Sequence, residues 1–155
     1  MLADHVQVES FTEFVKVNET RLRRALTAAF GAEAGREAAA DALAYGWQHW
    51  DRISGMDNPA GYLYRVGFRT AQKAKPRDVR AEFDAIAIQI PWIEPGLGEA
   101  FASLSEQQRS VVALLHAYEW SFGEVAHLLG ISKASVQTHE RRAMKRLRTR
   151  LGVTG

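Results

Sequence analysis

Residues 121–151 read SFGEVAHLLGISKASVQTHERRAMKRLRTRL, and their spacing predicts a helix-turn-helix that runs into a basic helix. Ala126 is the small residue needed where the two helices cross, and Gly130 supplies the positive φ that the turn demands. Val136 provides the apolar contact on the second helix. The second helix of such a unit normally lies in the major groove of DNA. We therefore expect a DNA-binding domain in this part of the chain.

Capping residues mark where the helices of this domain begin. Ser121 and Glu124 form a capping box for the first helix of the unit, and Ser132 is the expected N-cap of the second. Further upstream, Ser105 and Gln108 form another capping box. This second box predicts an additional helix, over about residues 105–117, ahead of the helix-turn-helix.

The basic helix carries a larger net positive charge than the chain as a whole. Between Lys133 and Arg150 there are seven Lys or Arg and one acid, a net charge of +6, whereas the whole chain has +2, which leaves −4 for the rest. Neutralising several phosphates makes DNA binding steeply salt-dependent. The side chains expected to reach base edges or phosphates are Lys133, Ser135, Gln137, Thr138, His139, Arg141, Arg142 and Lys145.

Composition excludes several other classes of site. The 155-residue chain has no cysteine, which rules out disulfides, zinc–thiolate sites and a cysteine nucleophile. Its five histidines are scattered without i,i+4 pairing, and no Gly-rich phosphate loop or convincing carboxylate pair is present, so we expect no metal, no cofactor and no enzyme activity. With no signal peptide and no apolar run of about 18 residues, we expect a cytoplasmic protein that does not enter a membrane.

Apolar residues recur at helical steps through the N-terminal half as well. They predict a helix that ends at Gly31, a second over about 33–53, and a third over about 59–75 that opens with Asn58-Pro59. Three of the four prolines then fall between residues 76 and 95. We predict an all-α fold of two small helical domains, residues 1–76 and 99–155, joined by a Pro/Gly-containing linker at 77–98.

The third predicted helix is basic. Residues 58–77 contain five Lys or Arg and no acid. Aromatic rings beside cations suit single-stranded nucleic acid, because the rings stack on bases and the cations follow the backbone. The plain alternative is a solvated basic face. The residues that share one stripe of this helix are Tyr62, Arg65, Arg69 and Lys73.

Two parts of the chain resemble bacterial sigma-70 factors of the extracytoplasmic-function (ECF) type. Leu104–Arg148, LSEQQRSVVALLHAYEWSFGEVAHLLGISKASVQTHERRAMKRLR, resembles the fourth conserved region of that family. Ala39–Ile53, AADALAYGWQHWDRI, and Asn58–Arg77, NPAGYLYRVGFRTAQKAKPR, resemble its second conserved region, in the same order and at the usual separation.

The resemblance implies a division of labour. In the family the second region binds the β′ clamp helices of RNA polymerase and recognises and melts the −10 element, while the fourth region sits on the β flap and reads the −35 major groove. Here it implies −10 contacts from Asn58, Tyr62, Arg65, Arg69 and Lys73, and core polymerase contacts from Asp41, Tyr45, Gln48 and His49. The implied partners are core RNA polymerase, promoter DNA both duplex and melted, and an anti-sigma factor.

Some positions depart from the family pattern. Ala44-Tyr45 replaces a polar pair in the clamp-binding helix, so we expect Tyr45, Gln48 and His49 to supply that contact. Arg69 stands where an Asn is usual and Lys73 where an Asp is usual. These two changes indicate an altered −10 readout.

Glu140 is a further departure, because an apolar residue normally completes the buried stripe of the basic helix at this position. A buried, unpaired carboxylate is costly. We therefore expect Glu140 to be partly exposed, and either to reach DNA or to pair with a neighbouring cation: Arg141, Arg142 or Lys145.

Two alternatives remain open from sequence. The C-terminal unit also resembles the LuxR-type helix-turn-helix, although such regulators usually have an α/β domain in front, and the first hundred residues here show no strand–helix alternation. The other alternative is a sigma-like protein that binds polymerase without opening promoters. Retained basic residues on both DNA-facing helices argue against it, whereas Arg69 and Lys73 favour it.

Overall fold

The structure, a computed structural model, describes residues 2–74 and 96–152, and within these ranges the chain is helical without strands, as predicted. The helices are α1 (Leu2–Phe30), α2 (Ala32–Gln48), α3 (Trp50–Ile53), α4 (Pro59–Lys73), α5 (Leu97–Ala102), α6 (Glu106–Val112), α7 (Phe122–Leu129) and α8 (Lys133–Leu151). Most of the predicted linker at 77–98 lies outside the described residues, and its last two residues, 97 and 98, already belong to α5.

Helices α1, α2 and α4 form the N-terminal bundle. Gly31, with φ of 94°, separates α1 from α2, as the sequence predicts. The helix expected over 33–53 is divided in two, because His49 adopts φ −120° and ψ 23° between α2 and α3. Helix α4 begins as predicted: the Asn58 side chain accepts a hydrogen bond from Gly61 N at 3.0 Å, and Pro59 occupies the first helical position.

The C-terminal helices begin at the predicted caps. Ser105 and Ser121 each head a complete capping box, with Gln108 and Glu124 as the respective partners. The helix expected to reach about residue 117 is α-helical only to Val112 and ends in a π-helical turn over 113–117. That turn closes with Trp120 N donating to Leu114 O at 2.9 Å.

The helix-turn-helix is formed by α7, the turn at Gly130, and α8. Gly130 has φ of 70°, in the left-handed region that a side chain with a Cβ rarely adopts. Ile131 N donates to Ala126 O at 3.1 Å, which closes the turn. Val136 is fully buried where α8 meets the core. Gly130 and Val136 therefore have the roles predicted for them, and Ala126 is buried in the same core cluster as Val136.

Apolar packing joins the N-terminal bundle to the helix-turn-helix. One cluster of buried side chains includes Leu26 of α1, Leu63 of α4, Leu114 of the π-helical turn and Val125 of α7. A smaller cluster of α5, α6 and α8 lies beside it. We call the contact between helices α1–α4 and helices α5–α8 the seam.

Buried polar side chains form hydrogen bonds across the seam. Arg109, which is 5% exposed, donates from Nε to Ala29 O at 2.9 Å, near the C-terminus of α1. The Tyr64 and Ser110 hydroxyls are 3.2 Å apart, and Ser110 Oγ donates to Ala25 O at 2.8 Å. Burial lowers the pKa of Arg109 and raises the pKa of Tyr64 to about 12.

Candidate nucleic-acid interface

Helix α8 presents a cationic stripe on the face opposite its core contacts. Ser132 caps its N-terminus by accepting a hydrogen bond from Ser135 N at 3.0 Å. At steps of four along the helix follow Lys133, Gln137, Arg141 and Lys145, all exposed. Residues four apart on a helix share a face, so these side chains form one row. The opposite face is buried through Val136, Ala143 and Leu147.

The other residues of α8 predicted to contact DNA differ from one another in solvent exposure. Arg142 is exposed, whereas Thr138 and His139 are half-buried at the edges of the stripe. Ser135 is half-buried as well, and its hydroxyl accepts a hydrogen bond from the Ser132 hydroxyl at 3.0 Å. Ser135 therefore belongs to the helix cap as much as to the exposed surface.

Glu140 is partly exposed as expected, but its partner is different. Its Oε1 lies 3.1 Å from Nε2 of His116, at the end of the π-helical turn. The expectation of a pair with Arg141, Arg142 or Lys145 was wrong. Those three cations extend into solvent, while Glu140 faces the π-helical turn after α6 and meets a histidine 24 residues earlier in the chain.

Helix α4 displays the second basic surface. Arg65, Arg69 and Lys73 are exposed, and Tyr62 is half-buried beside them. Asn58 differs from these residues because its side chain is already engaged. It caps Gly61 with its oxygen and donates from Nδ2 to His127 O of α7.

An aromatic and cationic cluster links α2 to α4. The Tyr45 ring lies 4.3 Å from that of His49 and 6.5 Å from that of Tyr62, measured between centroids. Arg52 Nη2 donates to the Tyr45 hydroxyl at 3.2 Å, and its guanidinium lies 5.7 Å from the centre of the Tyr62 ring. Tyr45 and His49, predicted for polymerase, therefore form one cluster with Tyr62, predicted for the −10 element.

Ionisation in this cluster follows from its hydrogen bonds. Hydrogen bonds with Tyr45 and then Arg52 lower the pKa of the Tyr62 phenol, and hydrogen bonds with Tyr62 and then Tyr45 raise the pKa of Arg52. Sequence reasoning missed Arg52. The available signal was its position within the Ala39–Ile53 segment, next to the break before α4.

The candidate polymerase contacts share one face of α2 near its C-terminus. Asp41 and Gln48 are exposed, and Tyr45 and His49 are half-buried. Trp47, which was not among the predicted contacts, is 47% exposed, although its ring packs 5.4 Å from that of Phe11. Single exposed apolar side chains are common on protein surfaces, so Trp47 alone does not mark a binding site.

Within 2–74 and 96–152, no three His, Cys, Asp or Glu side chains are grouped so that they could hold a metal ion. In the same ranges, no helix combines the length and apolar character needed to cross a bilayer. The exposed cationic surfaces of α4 and α8 are the candidate nucleic-acid-binding surfaces.

Comparison with known proteins agrees with the geometry. Residues 100–149 match the sigma-70 region 4 family. The chain is also similar in structure to the sigma factor RpoE from Bartonella quintana, solved in complex with the anti-sigma factor NepR. The two are 17% identical, the match covers 94% of this chain and 98% of that one, and the TM-score is 0.59. No curated protein sequence matches the chain.

The comparisons confirm the predicted resemblance to sigma-70 region 4 over residues 100–149, and the described helices share the fold of a solved sigma factor. For residues 100–149 the likeness is one of sequence, and for the rest of the chain it is one of fold.

Proposed function

Residues 100–149 match sigma-70 region 4, and from this premise we propose that the protein is an ECF-type sigma factor. It binds core RNA polymerase and directs promoter-specific initiation through −10 and −35 recognition. The proposed units are residues 1–76 for polymerase and the −10 element, 77–98 as the linker, and 99–155 for the −35 element. The protein acts in the cytoplasm, by binding rather than by catalysis.

The single observation that supports this proposal best is the capped, cationic, solvent-facing stripe of α8. Gln137 and Arg141 are placed on the exposed row near the start of the helix, where a recognition helix meets base edges. Glutamine suits adenine and arginine suits guanine in the major groove. Lys145, one turn further along, contacts phosphate and positions the protein without reading sequence.

The surface of α4 and the adjoining cluster suit the melted −10 strand. Tyr62 offers a ring for a base to stack on, and Arg65, Arg69 and Lys73 lie along the path of the backbone. Arg52 extends this surface toward α2. Since Asp41, Tyr45, Gln48 and His49 adjoin it, polymerase bound there would meet DNA at the same edge.

An anti-sigma factor is the further proposed partner. The similar protein RpoE was crystallised with the anti-sigma factor NepR. We propose a partner of the same class for this chain, and a protein that covers the α4 and α8 surfaces would block both DNA contacts.

The first test is run-off transcription with purified core polymerase from a matching bacterium, on the DNA upstream of this protein's gene. Discrete transcripts that require the protein would support the proposal and allow both promoter elements to be mapped. If the protein co-elutes with core polymerase but yields no transcript, either from this template or from a set of genomic fragments, the result would favour a sigma-like regulator. Absence of binding to core would favour a LuxR-like helix-turn-helix regulator.

A matched pair of variants separates the two DNA contacts. Arg142→Ala should weaken binding to the closed duplex by about tenfold to a hundredfold, the usual range for a lost base contact. Tyr62→Ala should leave duplex binding unchanged and reduce promoter opening, measured by permanganate reactivity of unpaired thymines. Arg36→Ala, an exposed cation on α2, serves as the control. Normal duplex binding with equal loss of opening in both variants would contradict the assignment.

The second candidate, a sigma-like protein that binds polymerase without opening promoters, keeps specific support. Arg69 and Lys73 are exposed cations at positions where the family usually has Asn and Asp. The double variant Arg69→Asn/Lys73→Asp, which introduces the residues usual in the family, distinguishes the two candidate functions. Increased transcript yield would indicate that these residues limit opening, whereas loss of a specific transcript would indicate that they read this protein's own promoter.

A further inference from the structure

Arg52 belongs to the short helix α3, which follows the break at His49. Both ends of this helix are anchored in the core: Trp50 is 5% exposed and donates from Nε1 to Ser10 Oγ at 3.1 Å, and Ile53 is fully buried. The Arg52 side chain between them is exposed. The backbone of Arg52 is therefore fixed, while its guanidinium is free to contact neighbouring side chains at the surface.

The guanidinium of Arg52 contacts two tyrosines that lie on different helices. Nη2 donates to the hydroxyl of Tyr45, on α2, at 3.2 Å. The guanidinium carbon lies over the Tyr62 ring, on α4, at 5.7 Å from the ring centre, which is within the range of a cation–π contact. The two tyrosine rings are 6.5 Å apart and tilted by 41°. Arg52 and Tyr45 therefore both restrain the Tyr62 ring.

The orientation of the Tyr62 ring decides whether a base can stack on it. Tyr62 lies in the first turn of α4 and is half-buried, so its ring has more than one staggered rotamer to choose from unless neighbours restrict it. Stacking uses a face of the ring. The guanidinium takes one face and leaves the second for a base. Because a guanidinium is planar and stacks on rings, a lysine ammonium is no substitute for it.

We propose that Arg52 is a positioning residue for the −10 contact. Its guanidinium, held by the Tyr45 hydroxyl, fixes the Tyr62 ring so that an unpaired base stacks on the opposite face. Arg52 acts through Tyr62 and does not itself bind phosphate. This inference rests on the proposed function, because stacking of a −10 base on Tyr62 is part of it.

The first experiment tests the contact without DNA. The pKa of the Tyr62 phenol is lowered by hydrogen bonds with Tyr45 and then Arg52, so Arg52→Ala should raise it. The measurement is a pH titration of the protein labelled with ¹³C at the tyrosine ring carbon that bears the hydroxyl, with Tyr62→Phe to identify the signal. Arg36→Ala, which removes an exposed cation from α2, should leave this pKa unchanged. An unchanged pKa in Arg52→Ala would overturn the inference.

The second experiment measures binding of a short, mixed-sequence, fluorescein-labelled single strand by anisotropy. Tyr62→Ala should weaken binding by about fivefold to a hundredfold, from the loss of one stacked base. Arg52→Ala should weaken it by about threefold to tenfold, from the loss of one cation–π contact. Arg52→Lys should not restore the affinity, and Tyr45→Phe, which removes the hydroxyl that holds Arg52, should weaken binding in the same direction.

A double-mutant cycle and the salt dependence separate positioning from direct contact. If Arg52 acts through Tyr62, adding Arg52→Ala to Tyr62→Ala should cause no further loss, and Arg52→Ala should have the same salt slope as Arg36→Ala. A direct phosphate contact would instead lower the slope by about 0.7 and be restored by lysine.

The outcomes distinguish failure of this inference from failure of the proposed function. Equal losses from Arg52→Ala in the wild-type and Tyr62→Ala backgrounds, a lowered salt slope, rescue by Arg52→Lys, or tighter binding by Arg52→Ala would each overturn the positioning role. These results would leave the −10 contact of Tyr62 standing. Wild-type affinity in Tyr62→Ala, or no binding of the strand by the wild type, would count against that −10 contact and would remove the inference with it.

Discussion

At the scale of single residues, Tyr64 shows how burial sets a pH limit on stability. Its side chain is 3% exposed and burial raises its pKa to about 12, against about 10 in an unfolded chain. Between these values the unfolded chain has lost a proton that the folded protein keeps. The stability that the buried phenol contributes to the folded protein is therefore complete below pH 10. As pH rises from 10 toward 12, the free energy of unfolding falls by up to about 1.4 kcal/mol per pH unit.

We expect the free energy of unfolding, from urea titrations at pH 9 to 11, to fall more steeply in the wild type than in Tyr64→Phe. The variant should also lose about 1 kcal/mol at pH 7, because the hydrogen bond with Ser110 is removed. Tyr118→Phe, at an exposed tyrosine, should keep the wild-type slope. Identical slopes for wild type and Tyr64→Phe would show that Tyr64 is solvated.

The buried guanidinium of Arg109 donates hydrogen bonds to backbone carbonyls at the seam. It donates to the carbonyl of Ala29 and also to those of Ala102 and Leu104. Arg109→Met keeps much of the volume but leaves these buried carbonyls without donors. We expect a loss of about 3 kcal/mol, measured by urea unfolding, with Arg148→Met on the exposed face of α8 changing stability by less than about 0.5 kcal/mol. A loss no larger than that control would mean that water reaches the carbonyls.

At the scale of elements, the close crossing of α1 and α2 depends on Gly35. A Cβ at this position would overlap the backbone of Thr27, which cannot move aside as a flexible side chain would. Gly35→Ala should therefore destabilise the protein by about 1–3 kcal/mol or more. Gly55→Ala is the control, because a Cβ there would meet Arg52 O at an ordinary 3.8 Å. Similar melting temperatures for the two variants would refute this account of the crossing.

The helix boundaries that sequence predicts well are those set by local chemistry. Ser105, Ser121, Ser132 and Asn58 each cap a helix with their own side chain, and Gly130 adopts the φ that the turn requires. Such signals involve residues within three or four positions of one another. The break at His49 and the π-helical turn after Val112 lack a comparable local signal, so both were predicted as continuous helix.

At the scale of the whole molecule, the contacts that sequence could not predict are those between distant segments. Arg109 and Ala29 are 80 residues apart, Tyr64 and Ser110 are 46 apart, and Asn58 and His127 are 69 apart. Hydrophobic periodicity shows which face of a helix is buried but not which helix covers it. The candidate surfaces could therefore be listed from sequence, whereas the contact between Asn58 at the start of α4 and the His127 carbonyl of α7 could not.

The distribution of charge over the molecule governs how salt acts on it. A net +6 between Lys133 and Arg150 opposes −4 elsewhere, so the proposed DNA binding by α8 depends on the charge of one region and not on the net charge of +2. With about five of these cations on phosphates, the logarithm of duplex affinity should fall against the logarithm of salt concentration with a slope of roughly −4 to −5.

Two residues on the same row of α8 separate this electrostatic contribution from base reading. Lys145→Ala should weaken binding equally to promoter and random duplex and reduce the slope by about 0.9, because one phosphate contact is lost. Gln137→Ala should leave the slope unchanged and reduce only the preference for the promoter, because an uncharged amide releases no counterion. Fluorescence anisotropy over a range of salt concentrations measures both quantities. If Gln137→Ala lowers the slope, or if Lys145→Ala spares random duplex, then the row does not lie in the groove as proposed.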